Sequence, residues 1–196
     1  MIPRAGIVAG ILAGGRASRL GGSDKAWHEF EGQPLIERTL TALSGQGVPV
    51  IIASGRSRSR HAALAVPVVA DLRGGQLGPL AGIEALLAAC ESRWLLTVPV
   101  DVLRVPADLV ERFAAQAGPN GAFAADDDGD QPLIALWPVD AARSAVAGSL
   151  ERGARAVHRV QAELAMARLN FDSYRFGNLN SPGDFLRAAS EHDHDH

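Results

Sequence analysis

One cysteine, Cys90, stands in a chain of 196 residues. A disulfide needs two, so no internal covalent framework holds this fold, and a reducing compartment suits it. Charge of one sign is also scarce: 19 Lys and Arg against 22 Asp and Glu give a formal −3. Without a basic excess there is no global attraction for nucleic acid or acidic lipid, so any anion site must be built locally. No apolar run reaches the ~20 residues that a membrane span needs. Arg4 and the stretch Ala5 to Gly15 have the outline of a secretory signal, but glycine interrupts the run and Arg16-Ala-Ser-Arg19 is a poor cleavage flank. A cytoplasmic chain is expected.

Two familiar phosphate-binding motifs are missing as well. No G-x-x-x-x-G-K-[ST] occurs, which excludes a P-loop, and no G-x-G-x-x-G, which excludes the dinucleotide fingerprint. What is present is an alternation of short apolar runs with amphipathic ones. Ile7 to Ala13 reads as a buried strand ended by Gly14-Gly15. Pro34 opens a helix on which Ile36, Leu40 and Leu43 share a face; Val48 to Ala53 and Val66 to Ala70 follow as strands, the latter at a sheet edge because of Pro67. A helix from Gly78-Pro79 to Cys90, a strand from Trp94 to Val98 and a helix from Pro106 continue the pattern. Alternation through about residue 117 predicts a mostly parallel sheet covered on both faces, which binds ligands beyond the carboxyl ends of its strands.

Later segments differ. Ala122 to Ala125 and Leu133 to Trp137 flank a turn at Asp126-Asp-Asp-Gly-Asp130; helical stretches run from Arg143 to Val160, and Ala165 to Phe171 returns to the sheet. Ser181-Pro182-Gly183-Asp184 has the make-up of a helix start. No linker or repeat interrupts the chain. One domain over residues 1–190 is expected, with a nucleotide-binding half at about 5–117, a second-substrate side at about 118–190, and a flexible His/Asp tail at 191–196.

The chemistry concentrates at strand ends. Leu12-Ala-Gly-Gly-Arg16-Ala-Ser-Arg19-Leu-Gly21-Gly22-Ser-Asp24-Lys25 leaves the first strand with four glycines, and sets three cations against Asp24. Glycine lets backbone N–H groups approach a ligand closely, and successive N–H groups make an anion-binding concavity. A solvated glycine-rich connection is the bland alternative, but the loop is longer than a connection requires. Asp101 follows the Trp94 strand, where a carboxylate can hold Mg²⁺ together with substrate phosphates or simply flank a turn. Asp71 occupies the equivalent place after the third strand, ahead of the glycines leading into the next helix.

L-A-G-G-x-x-x-R-[LM]-G-G-x-D-K resembles the signature of the molybdenum cofactor guanylyltransferases. Gly78-Pro-Leu-Ala-Gly82, Pro99-Val-Asp101 and Asn178-Leu-Asn180-Ser-Pro182 resemble further landmarks of that family, in order from Ile7 to about Leu186. The resemblance implies a Rossmann-like three-layer α/β sandwich of the nucleotide-diphosphate transferase type. It implies transfer of GMP from GTP to molybdopterin, or its molybdenum form, with release of pyrophosphate. Leu12, Ala13, Gly14, Gly15, Lys25, Asp71 and Asp101 would contact the nucleotide, and Asp101 would hold Mg²⁺. Arg19 and Lys25 would act in catalysis with Asp101. Gly22, Gly78 and Gly82 fall on other active-site positions, and Asn178 and Asn180 on the molybdopterin side. Other cofactor-biosynthesis proteins and acceptor molybdoenzymes would be its protein partners; a monomer is expected, with no nucleic-acid or membrane partner. One departure is Ala53-Ser54-Gly55, where many relatives place an asparagine.

Rival readings remain at this point. A cytidylyltransferase on the same cofactor tends to show L-A-A-G rather than Leu12-Ala13-Gly14-Gly15; a sugar-phosphate nucleotidyltransferase is the other rival within the class. A non-catalytic nucleotide-binding module would not need Arg19, Lys25 and Asp101 together. Arg56-Ser-Arg-Ser-Arg60-His61 reads as a solvated helix-flanking run, and Asp126 to Asp130 lacks calcium-loop spacing. Trp27, Trp94 and Trp137 read as packing residues, and His28, His61 and His158 have no evident partner in sequence.

Overall fold

Apolar stretches too short for helices become strands here, and the amphipathic stretches between them become the helices that cover them. The computed structural model describes residues 1–14, 24–54, 58–74, 77–179 and 183–184. The chain runs through β1 (Ile7–Leu12), a short hairpin of β2 (Glu29–Phe30) and β3 (Gln33–Pro34), α1 (Leu35–Ser44), β4 (Val50–Ala53), α2 (Arg58–His61) and β5 (Val68–Val69). It continues with α3 (Pro79–Ala89), β6 (Trp94–Pro99), α4 (Leu109–Gln116), β7 (Ala122–Asp126), β8 (Gly129–Pro138), α5 (Val139–Glu151), α6 (Val157–Glu163) and β9 (Ala167–Asn170).

Among the described residues, seven strands form one sheet in the order β5-β4-β1-β6-β8-β7-β9. β5, β4, β1 and β6 are parallel; β8 alone runs against its neighbours β6 and β7, and β9 pairs parallel with β7. Every residue of β1, β4 and β6 is buried, as parallel strands covered on both faces require. One face carries the core shared with α1 and α4, where Ile7, Ile11, Ile36, Leu43, Leu96 and Phe113 pack. The opposite face carries Leu12, Leu80, Ile83, Leu86, Trp137 and Val146 with α3, α5 and α6. The three-layer α/β expectation holds.

Several boundaries differ from those the sequence pattern predicts. The second strand begins at Val50, not Val48, and Pro34 precedes α1 rather than entering it. The helix expected from Pro106 begins at Leu109, after a turn closed by Leu109 N–H on Pro106 O. The stretch Arg143 to Val160 is two helices, α5 and α6, parted by Gly153 in a left-handed conformation. The run at Arg56 to His61 is not merely a solvated flank: residues 58–61 are helical, His61 is buried against Trp27 at 5.3 Å, and Arg60 lies 4.5 Å over the Trp27 ring.

Candidate functional site

Four parallel strands end side by side, and each end carries a residue singled out in the sequence. Across β5, β4, β1 and β6 these ends are Asp71, Ser54, Ala13-Gly14 and Asp101. The chain leaves β1 to β4 on one side and returns to β6 on the other, so β1 is the switch point in strand order, the place at which open sheets of this kind take ligands. Backbone bonds fix this rim: Ala13 N–H donates to Ala53 O at 2.9 Å and Val100 N–H to Leu12 O at 3.1 Å. Ser54 is buried and its N–H donates to Val69 O.

Lys25 Nζ reaches Asp101 Oδ2 at 2.6 Å, joining two residues 76 apart in sequence. Only 17% and 20% of their side chains are exposed, so the pair is sheltered from bulk water. The lysine is held by a short 3-10 turn, Lys25–Trp27, which Asp24 caps by accepting from Ala26 N–H at 3.2 Å. Ala26, fully buried, pins the turn to the core. A carboxylate with one oxygen on an ammonium keeps acceptor capacity on the other. An ammonium and a carboxylate so placed can hold a phosphate group and a divalent cation at adjoining points.

Asp71 lies exposed beyond β5, and partial burial of its carboxyl, aided by the Glu84 carboxylate, raises its pKa above the ordinary aspartate value. Its loop is clamped by Arg73, whose Nε donates to both Glu84 oxygens at 2.9 and 3.0 Å, with Glu151 3.6 Å from its Nη2. Gly78 precedes α3 at φ +69, a left-handed conformation that any side chain would strain. Gly82 is needed for closeness: a Cβ there would lie 3.1 Å from Leu12 Cδ2 and 3.7 Å from Ala53 Cβ. It lets α3 settle against the ends of β1 and β4.

On the far side of Asp101, the segment 176–179 runs antiparallel to 101–104. Leu179 N–H donates to Asp101 O at 2.9 Å, Leu103 N–H to Gly177 O at 3.1 Å and Arg104 N–H to Phe176 O at 2.9 Å. Asn178, bridged to Val102, is thereby held beside Asp101, with its side chain exposed. This strap is itself anchored by Asp126, which the sequence offered only as part of a turn. Its Oδ1 accepts from Asp128 N–H and Gln131 Nε2, each at 3.0 Å, and its Oδ2 from Phe176 N–H at 2.8 Å. Asp126, Arg73 and Glu84 were not expected to matter; no local pattern marks them.

Leu12, Ala13, Gly14, Lys25, Asp71, Gly78, Gly82, Asp101 and Asn178 thus border one end of the sheet. Gly15, Arg19, Gly22 and Asn180, and the Ser181-Pro182 helix start, lie outside the described residues. Among the described residues, no group of three or more His, Cys, Asp or Glu side chains could hold a metal unaided, and no helix is long and apolar enough to cross a membrane.

Residues 9–166 match the MobA-like NTP transferase domain. The chain is 37% identical over 200 residues to a molybdenum cofactor guanylyltransferase of Cupriavidus metallidurans, covering 97% of this chain and 98% of that one. It is 34% identical to a protein of the same name from Shewanella sediminis, over 90% and 92% of the two chains. In structure it is similar to molybdopterin-guanine dinucleotide biosynthesis protein A of Archaeoglobus fulgidus, with a TM-score of 0.72, 19% identity and coverage of 95% and 99%. At that identity the likeness speaks for the fold alone.

Proposed function

The chain belongs to the MobA-like NTP transferase domain family, as a relative of the molybdenum cofactor guanylyltransferases, and from that premise we propose that Lys25 and Asp101 are the centre of GMP transfer from GTP to molybdopterin. The observation that carries the reading is the 2.6 Å contact between them, beyond the carboxyl ends of β1 and β6. In the reaction a terminal phosphate oxygen of molybdopterin attacks the α-phosphorus of GTP. The bond from that phosphorus to the bridging oxygen breaks, and pyrophosphate leaves with the electron pair. The nucleophile is already ionised, so neither a covalent enzyme intermediate nor a general base is required. Catalysis is then positioning and neutralisation of growing charge.

In this reading Leu12, Ala13 and Gly14 border the nucleotide with Asp71, and Gly78 and Gly82 allow it close approach to α3. Gly15, Arg19 and Gly22 complete the glycine loop, and Asn178 and Asn180 face the molybdopterin side. Lys25 moves from Asp101 toward the phosphates when nucleotide enters, and there stabilises the leaving group. Asp101 suits Mg²⁺: a sheltered carboxylate, with no group of three or more possible ligands gathered among the described residues, fits an ion that completes its shell with phosphate oxygens and water. When bound, the ion would neutralise charge on the transferred phosphate. The cytoplasm is the compartment assigned.

The test is pyrophosphate release from GTP and molybdopterin, with magnesium omitted and restored. Release that requires both substrates and the metal supports the assignment. Turnover with CTP at the same efficiency as with GTP would refute guanine selectivity.

A further inference from the structure

Strand β8 breaks its ladder with β7 at one place. Phe123 pairs with Ala135, but the next residue, Ala124, pairs with Gln131, so Pro132, Leu133 and Ile134 are crowded out of register. Pro132 has no N–H to give a ladder, which locates the break. The bulge is not slack: Thr97 Oγ1 donates to Leu133 O at 2.8 Å, and Gln161 Nε2 donates to Pro132 O at 2.8 Å. Gln161, 2% exposed, reaches it from α6. Bulges that are pinned in this way re-aim side chains and open space beside active sites.

The space opened is a cavity of about 520 Å³ between the bulge and α6, bordered by Phe123, Asp130, Pro132, His158, Gln161 and Met166. Its walls join an aromatic ring and a thioether to a few polar groups, the composition of a small-molecule site of ordinary size. Asp130 stands at its rim with one oxygen fixed: Arg168 Nε donates to Oδ1 at 2.7 Å. Among the described residues no donor is placed on Oδ2. With its Nε2 committed to Pro132, Gln161 retains its amide oxygen as an acceptor. The cavity therefore offers acceptors beside a flat apolar wall.

We propose that this cavity receives the pterin ring of the second substrate, with Phe123 against the ring face and Asp130 and Gln161 accepting from its amino group and ring N–H. The proposal rests on the functional reading above. Guanine presents the same amino-oxo-pyrimidine edge, so chemistry alone would admit either ring; position decides. Asp71, Ala13-Gly14, Gly78 and Gly82 belong to the β5-β4-β1 half of the sheet, whereas the cavity belongs to β8 and β7, with β6 and Asp101 between them. Phe123, Ala135 and Thr97 are aligned on neighbouring strands, about 10 Å across. Asp101 lies in the turn two residues beyond the end of β6, at the same end of the sheet as the β7–β8 hairpin tip. The cavity and the nucleotide-side strand ends thus flank Asp101 from opposite sides of the sheet.

The test uses 6-hydroxymethylpterin, whose own fluorescence reports binding, and GTP with magnesium, titrated calorimetrically. The wild-type chain is expected to bind both at once. Asp130→Asn, at an exposed position, is expected to weaken pterin binding and raise KM for molybdopterin by about tenfold or more, the scale of one charge-assisted hydrogen bond; His158→Ala, which alters the lining at another exposed position, weakens pterin binding by less. Affinity for GTP stays within twofold. Displacement of the pterin by GTP, no pterin binding by the wild type, or unchanged pterin affinity in both variants overturns the proposal. A wild type that binds pterin here but releases no pyrophosphate from GTP sinks the functional reading instead and leaves the cavity assignment standing.

Discussion

Replacing Lys25 with alanine separates the electrostatic role of this residue from its structural one, because the two effects differ in scale. The Lys25–Asp101 pair is about four-fifths sheltered, between an exposed pair worth ~0–1 kcal/mol and a fully buried one whose breaking costs ~3–5 kcal/mol. About 1–2 kcal/mol is expected, which for a chain of this size lowers Tm by roughly 2–8 °C. The catalytic loss is larger: a missing donor aimed at developing charge costs about 3–4 kcal/mol, or 10²- to 10³-fold in kcat. The assay is initial-rate pyrophosphate release at saturating GTP and molybdopterin, with thermal melting on the same samples. Asp101→Asn and the double variant complete a cycle. If both side chains act on one nucleotide, their losses in kcat fall well short of additive. A folded Lys25→Ala chain whose kcat falls less than tenfold, or losses that simply multiply, would refute the reasoning.

Asp71 gives a pH signature. Its folded pKa is raised, so its ionised form opposes folding; that penalty is full at neutral pH and disappears as pH falls through the folded value, which lies above 3.8. Asp71→Asn should therefore melt higher than wild type at pH 7, with the gain shrinking in acid; melting curves across that range decide. Gly82→Ala sets a helix-propensity gain of about 1 kcal/mol against a contact with Leu12 that must yield slightly, and should leave Tm nearly unchanged. Gly82→Val cannot be absorbed so easily, and should raise KM for GTP while lowering Tm. Asp126→Ala strands the buried N–H of Phe176 and removes two further bonds; a loss of about 2–4 kcal/mol by urea denaturation is expected, with Asn178 displaced from Asp101.

The elements that the sequence revealed are those whose cause is local. Largely apolar runs such as Trp94–Pro99 declare a strand buried on both faces, and the glycine loop after Leu12 declares itself by the glycines and cations gathered in one short stretch of sequence. The family resemblance implied that Lys25 and Asp101 touch one nucleotide, and the two are in contact. What stayed hidden is long-range. The start of α4 is set by Gln46: its Oε1 accepts from Val110 N–H at 2.8 Å, and its Nε2 donates to Pro106 O at 3.0 Å. No rule about proline near a helix start can anticipate a cap delivered from the end of α1. The same holds for Asp126, whose three donors come from its own hairpin and from the strap fifty residues on, and for His61, whose partner Trp27 belongs to another loop.

Because the 176–179 strap is sewn to residues 101–104 by main-chain bonds, the acidic group after β6 is bracketed by parts of the chain made early and parts made late. The backbone around Asp101 therefore reaches its final setting only when residues near 179 are docked, so the first half of the chain alone does not complete it.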